Sequence, residues 1–172
     1  MKDALDRIFI EFSVKKLRQM TDRIETCLGK LNHEQIWMRG SAEENAIGNL
    51  TLHLCGNVRQ WIVSGVGGAA DVRERDAEFA ARGGLSAAEL SARLRGVVDE
   101  AAAVIAAVTV ERLPERISVQ KYDLPVMEAI YHVVEHFSGH TGQIIFATKM
   151  LTGEGFEFYR HLSAPSHTEK TP

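Results

Sequence analysis

The sequence predicts an all-α protein, a four-helix bundle with long crossover connections. Two observations carry this prediction. Four long stretches place apolar residues three and four positions apart, the spacing of a helix with one buried face. Between two of them lies a long Gly- and Ala-rich segment without apolar periodicity, which suits a crossover. The composition agrees: 172 residues, 45% hydrophobic and 25% charged, suit one globular domain that folds without covalent staples. Without an internal repeat, the domain is expected over 1–163. Residues 164–172, polar and holding two prolines, are expected to form a disordered tail.

The first helix is read from about Asp3 to Lys30, on Leu5, Ile8, Phe9, Phe12, Leu17, Met20, Ile24 and Leu28. Gly29 marks its end. Leu31 to Gly40 reads as a connector in which Trp37 caps the core. A capping box of Ser41 and Glu44 is expected to open the second helix, with Ile47, Leu50, Leu54, Val58, Trp61 and Ile62 as its apolar stripe. That helix should end near Gly65. From Gly65 to Gly84 a crossover is expected, with at most short helical pieces. A second capping box, Ser86 with Glu89, starts the third helix, which carries Leu90, Leu94, Val97, Val98, Ala101, Ile105 and Val108 and stops before Pro114. Ile117, Val119 and Lys121 alternate as a short extended piece, and Pro125 suits the first turn of a fourth helix reaching about Leu151.

A net charge of −3 supplies no general attraction for nucleic acid or anionic lipid. The amino-terminal stretch has scattered acids and no apolar signal core, and nothing reaches the roughly 18 apolar residues of a membrane span. A cytoplasmic protein is expected, with no nucleic acid or membrane partner. Two cysteines, Cys27 and Cys55, are too few for a disulfide framework and lack zinc-ribbon spacing, so they read as reduced thiols outside any metal site.

The informative chemistry lies in the fourth helix, in His132-Val-Val-Glu-His136-Phe-Ser-Gly-His140-Thr-Gly-Gln143. At 100° per residue, His136, His140 and Gln143 fall within about 40° of one another, beside Ala129 and Ala147. That stripe is expected to face the core, where an unpartnered polar group costs about 1–3 kcal/mol. A divalent metal satisfies it, because imidazoles one turn apart can both reach one ion. A third ligand must come from another helix, and His53 is the only histidine of the second. Three neutral nitrogens leave coordination positions open, as catalysis requires. Such a donor set suits zinc, nickel or iron, and the sequence does not choose among them.

Other readings compete. Histidines one turn apart often serve only as hydrogen-bonding or packing groups. His132 to His136 also spells H-x-x-E-H, the pattern of zinc peptidases with a glutamate base. Against it, Glu135 sits about 100° from His136 around the helix, and little chain follows to supply an acidic ligand. A di-iron carboxylate site needs Glu-x-x-His, and the residues three before His132, His136 and His140 are Ala129, Val133 and Phe137. His132 reads as a packing residue, with a supporting or alternative ligand role left open. Asn57, one turn after His53, is placed either at the pocket or against a neighbouring helix. Trp61 is assigned to the core, Arg59 and Arg160 to the surface. Gly139 and Gly142 suit close approach of another helix, a dimer contact being one candidate.

With its single histidine in NLTLHLCGN and its ending HVVEHFSGHTGQIIFATKML, the chain resembles the DinB/YfiT-like superfamily, in the branch whose last helix reads H-x-x-x-H-x-G-Q. The resemblance runs from the first helix to about Phe158. It implies a metal triad of His53, His136 and His140, with Gln143 supporting it from outside, and a homodimer. It also implies one divalent metal per chain and a small-molecule substrate. The implied reaction is metal-dependent hydrolysis or S-transfer, with the ion activating water or a low-molecular-weight thiol. The alternative is a non-enzymatic dimeric bundle in which metal is structural or sensed.

Overall fold

The computed structural model describes residues 2–164 and 166. They are mostly helical, with α1 (Lys2–Leu28), α2 (His33–Trp37), α3 (Ile47–Val58), α4 (Arg75–Ala80), α5 (Ala87–Ala106) and α6 (Val126–Thr152). A two-stranded antiparallel hairpin, β1 (Arg116–Val119) and β2 (Tyr122–Pro125), precedes α6. Its turn residues Gln120 and Lys121 have φ of +51° and +68°, the left-handed pair that matches the twist of a tight hairpin. The predicted extended piece is the first strand of this hairpin as far as Val119, while Lys121 falls in the turn instead. Pro125 precedes α6 as its cap residue, one position before the predicted first turn.

The four long helices pack pairwise, α1 and α3 each against both α5 and α6. Arg95 of α5 reaches Asp22 and Glu25 near the end of α1, so those two helices run antiparallel. Arg59, just past α3, meets Glu100 near the end of α5 at 2.8 Å. Helices α3 and α5 therefore run the same way. A chain leaving one and entering the other must travel back along their length, which is the physical reason for the long connection after Val66.

Their shared core holds Leu17, Ile24, Leu28, Leu54, Ile62, Leu90, Leu94, Ile105, Ile130, Phe137 and Ile144, all essentially inaccessible. Fully burying one such side chain stabilises the fold by about 1.5–3 kcal/mol. The predicted stripe of α1 is corrected at its start. Leu5, Ile8 and Phe12 are exposed, and the buried face begins instead at Ile10 and Ser13.

Ser86 and Glu89 form their capping box, with Glu89 N donating to Ser86 Oγ at 3.3 Å and Ser86 N to Glu89 Oε2 at 2.8 Å. Ser41 and Glu44 form none. Glu44 instead accepts from Gly40 N at 2.7 Å, and the helix starts only after Ala46, whose N–H donates to Asn49 Oδ1 at 3.2 Å. The connector before it contains α2, opened by a reciprocal cap between Asn32 and Gln35. Trp37 lies on Gly48 of α3, where an added Cβ would come within 2.8 Å of the ring. After Val58 the helix continues as a π-helix over Arg59–Val66, a geometry periodicity does not announce. Most of the expected tail lies outside the described residues.

Candidate metal centre

His53 lies on α3, and His136 and His140 lie one turn apart on α6. One ring nitrogen from each of the three falls within 4.8 Å of the other two. His53 Nε2 and His136 Nε2 are 2.9 Å apart. Two nitrogens bound at about 2.0–2.1 Å to one ion lie at most about 4.2 Å apart. The imidazoles are therefore within a small closing motion of a common ion, and the donor set fits a divalent metal. No fourth His, Cys, Asp or Glu joins them among the described residues.

The stripe sits at the edge of the core, not over it. The fully buried face of α6 is Val126, Ala129, Ile130, Val133, Phe137 and Ile144, while His136 and His140 are half-buried and Gln143 is exposed. At 100° per residue the histidines lie roughly 40–80° from the middle of that buried face. They thus meet the neighbouring helix while one side stays near solvent.

Each ligand candidate has an ordered surround. His140 Nδ1 donates to Gln143 Oε1 at 2.7 Å when its proton is on that nitrogen, which leaves Nε2 bare. His132 packs on Trp61, ring centroids 4.4 Å apart, and lies 5.6 Å from His136, outside the close group. Asn57, one turn after His53, is buried, and its Oδ1 has no hydrogen-bond partner among the described residues, so it does not bond to a neighbouring helix there through that atom. Glu135 is exposed, off the face that carries His136. Cys55 is buried on another side of α3, where burial pushes its thiol up to about 12. Arg59 and Arg160 pair with Glu100 and Glu157 at the surface.

Sequence reasoning missed Arg73 and Glu78. Both lie in the crossover, and their side chains are only 3% and 10% exposed. Glu78 Oε2 is 3.1 Å from His53 Nδ1. Arg73 grips the carboxylate with two bonds, Nε to Oε1 at 2.7 Å and Nη2 to Oε2 at 2.8 Å, the strong fork geometry of guanidinium and carboxylate. Burial pushes the Glu78 carboxyl up, but hydrogen bonds from Arg73 and His53 outweigh it and hold the group below its usual range. Asn49 fixes this segment: its Nδ2 donates to Glu78 O at 2.8 Å and Ala81 O at 2.9 Å. Arg39 adds a bond to Phe79 O at 2.8 Å. The one signal in the sequence was length, since a connection of this size is usually functional.

Residues 5–167 match the family described as "Protein of unknown function (DUF1572)". The chain belongs to DUF1572. That family is DinB-like. The structure is similar to that of a conserved protein from Enterococcus faecalis, with a TM-score of 0.73 and 12% identity over 84% of this chain and 97% of that one. It is also similar to a DinB-like protein from Bacillus cereus ATCC 10987, with a TM-score of 0.66 and 17% identity over 85% and 96%. At such identities the likeness speaks for the fold. No curated protein matches the chain. No helix among the described residues is long and apolar enough to cross a membrane.

The centre of this DUF1572 chain makes a pH dependence. Burial first, then the neighbouring His140, His53, His132 and Arg73, hold His136 down to about 4. The unfolded chain binds that proton near the ordinary 6.5. Stability is therefore complete above about 6.5 and is lost as pH falls towards 4. The shift amounts to about 3 kcal/mol for a fully buried group, which screening of a half-exposed ring reduces to about 1–2 kcal/mol. Urea unfolding of metal-free protein at pH 7.5 and 4.5 measures it, and equal stability of His136→Ala-corrected curves at both values would contradict this assignment.

Proposed function

We propose that this chain is a divalent-metal protein, a four-helix bundle in one domain over 1–163 in which His53, His136 and His140 hold one zinc, nickel or iron ion. The observation that supports this reading is the convergence of three imidazole nitrogens within 4.8 Å from two helices. Gln143, bonded to His140, serves as the orienting partner of that ligand. With three protein ligands and no fourth in the group, positions stay open to solvent or substrate, the pattern of a catalytic more than a structural site.

An ion held there lowers the pKa of a bound thiol or water. The chain's contribution is to hold the ligands together and oriented. Asn57 offers an unpartnered acceptor one turn from His53, and Trp61 with His132 walls the row beyond it. We read the activity as S-transfer from a low-molecular-weight thiol, or hydrolysis, on a small molecule. The reading includes a cytoplasmic homodimer. Gly139 and Gly142 on the outer face of α6 have no atom within 4 Å of an added Cβ, so the chain itself leaves that face to a second copy.

The test begins with elemental analysis of tag-free protein after loading with zinc, nickel or iron, where about one ion per chain is expected. Loaded protein is then given bacillithiol, mycothiol or glutathione with a panel of electrophiles. Turnover above a His136→Ala control is expected. Binding of the ion without any turnover would move the chain to a metal-sensing or structural role.

A further inference from the structure

We propose that Glu78, clamped by Arg73, is a positioning residue that keeps the proton of His53 on Nδ1 and so presents a bare Nε2 to the metal; this rests on the metal reading above. The argument starts from three atoms. His53 Nδ1 lies 3.1 Å from both Glu78 Oε2 and Arg73 Nη2, and those two are 2.8 Å from each other. A guanidinium nitrogen only donates and an ionised carboxylate only accepts. If Nδ1 carries the proton, Oε2 accepts from both Nδ1 and Nη2, and the carboxylate charge faces two donors. If Nδ1 is bare, the anionic carboxylate oxygen faces a lone pair at 3.1 Å, a repulsion that the second N–H of Nη2, directed away from Oε2, offsets only in part.

Nε and Nη1 of Arg73 do not need His53. Nε is bonded to Glu78 Oε1 at 2.7 Å, and Nη1 to Gln60 Oε1 at 2.9 Å. The arrangement therefore selects Nδ1–H. It follows that in the 2.9 Å contact between the two Nε2 atoms, His136 donates and His53 accepts. Metal entry then asks His136, not His53, to give up the proton facing the centre. A carboxylate behind an imidazole ligand also fixes its ring orientation, and removing such a partner typically weakens metal binding by roughly 10–100-fold. The crossover thus supplies the ligand's support, and the long connection has a chemical purpose besides its topological one.

Imidazole 15N spectra of the metal-free full chain, assigned with His53→Gln, read the tautomer directly. Nδ1–H with bare Nε2 is expected for His53. Zinc titration follows. Arg73→Met/Glu78→Leu removes both partners without leaving a buried charge, and should let Nε2–H appear at His53 and weaken zinc by roughly 10–100-fold. Glu78→Gln, which keeps an acceptor, should restore Nδ1–H and most of the affinity. A merely structural pair would change stability and leave the tautomer alone. Zinc binding by wild type with the His53 proton on Nε2, or a double variant that binds zinc as tightly, overturns this proposal while sparing the metal site. Absence of zinc binding by wild type overturns the metal reading, and the metal-free spectrum still decides what Glu78 does to His53.

Discussion

Alanine at any one of His53, His136 and His140 is expected to empty the centre. Two imidazoles on a half-exposed helix face hold an ion weakly, and the third ligand comes from a different helix, so no single loss can be made good from the same element. His132 is the nearest replacement, but its ring is turned against Trp61 and lies 5.6 Å from His136. The effect should also be visible as stability. An ion present at 100 times its dissociation constant stabilises the folded state by about 2.7 kcal/mol, which raises the melting temperature of a chain this size by roughly 5–10 °C. Wild type should show that rise with zinc, and each variant should stay flat while remaining folded in the metal-free state. A variant that still carries about one ion per chain would remove its histidine from the ligand set. For His136→Ala a second consequence follows: the acid destabilisation attributed to this ring should shrink with it.

The parts of this chain that periodicity can reach are those whose fate depends on repetition. The spacing of Leu90, Leu94, Val98 and Ile105 marks α5, and the His136/His140 pair marks the ligand edge of α6, because both follow from one residue's angle to the next. What escaped depends on neighbours distant in sequence. Leu5, Ile8 and Phe12 are spaced three and four apart, but at 100° per residue they lie about 110–170° from the face of Ile10, Ser13, Leu17 and Ile24, the face that α5 and α6 cover. Ser41 and Glu44 have the residues of a capping box, yet Asn49 supplies the bond that opens α3. The π-helix around Trp61 shifts register by hydrogen bonding alone. Most telling are Arg73 and Glu78. In a charged stretch they look like solvated residues, and it is Asn49 and Arg39, holding the backbone of Glu78 and Phe79, that fix this segment beside His53.

Gly56→Ala isolates that support, and its sign is set by a contest between two magnitudes. Helix propensity alone favours alanine by up to about 1 kcal/mol, and Gly96→Ala in α5, with open space around the added methyl, should gain something near that. At Gly56 the same methyl would land on the Glu78 carboxylate and 2.9 Å from Arg73 Nε. A carboxylate at the end of a free side chain would swing aside at little cost. This one is forked to an almost inaccessible guanidinium and bonded to His53, so moving it loosens a buried charge pair. Overpacking of this kind costs about 1–3 kcal/mol, which offsets the propensity gain and leaves a net loss of up to about 2 kcal/mol. Because the carboxylate can retreat only away from α3, zinc affinity should fall together with stability, while Gly96→Ala leaves zinc affinity unchanged. Urea unfolding and zinc titration on the two variants decide the matter: a Gly56→Ala protein as stable as Gly96→Ala, with undiminished zinc binding, would mean that Glu78 moves freely and that His53 does not depend on it.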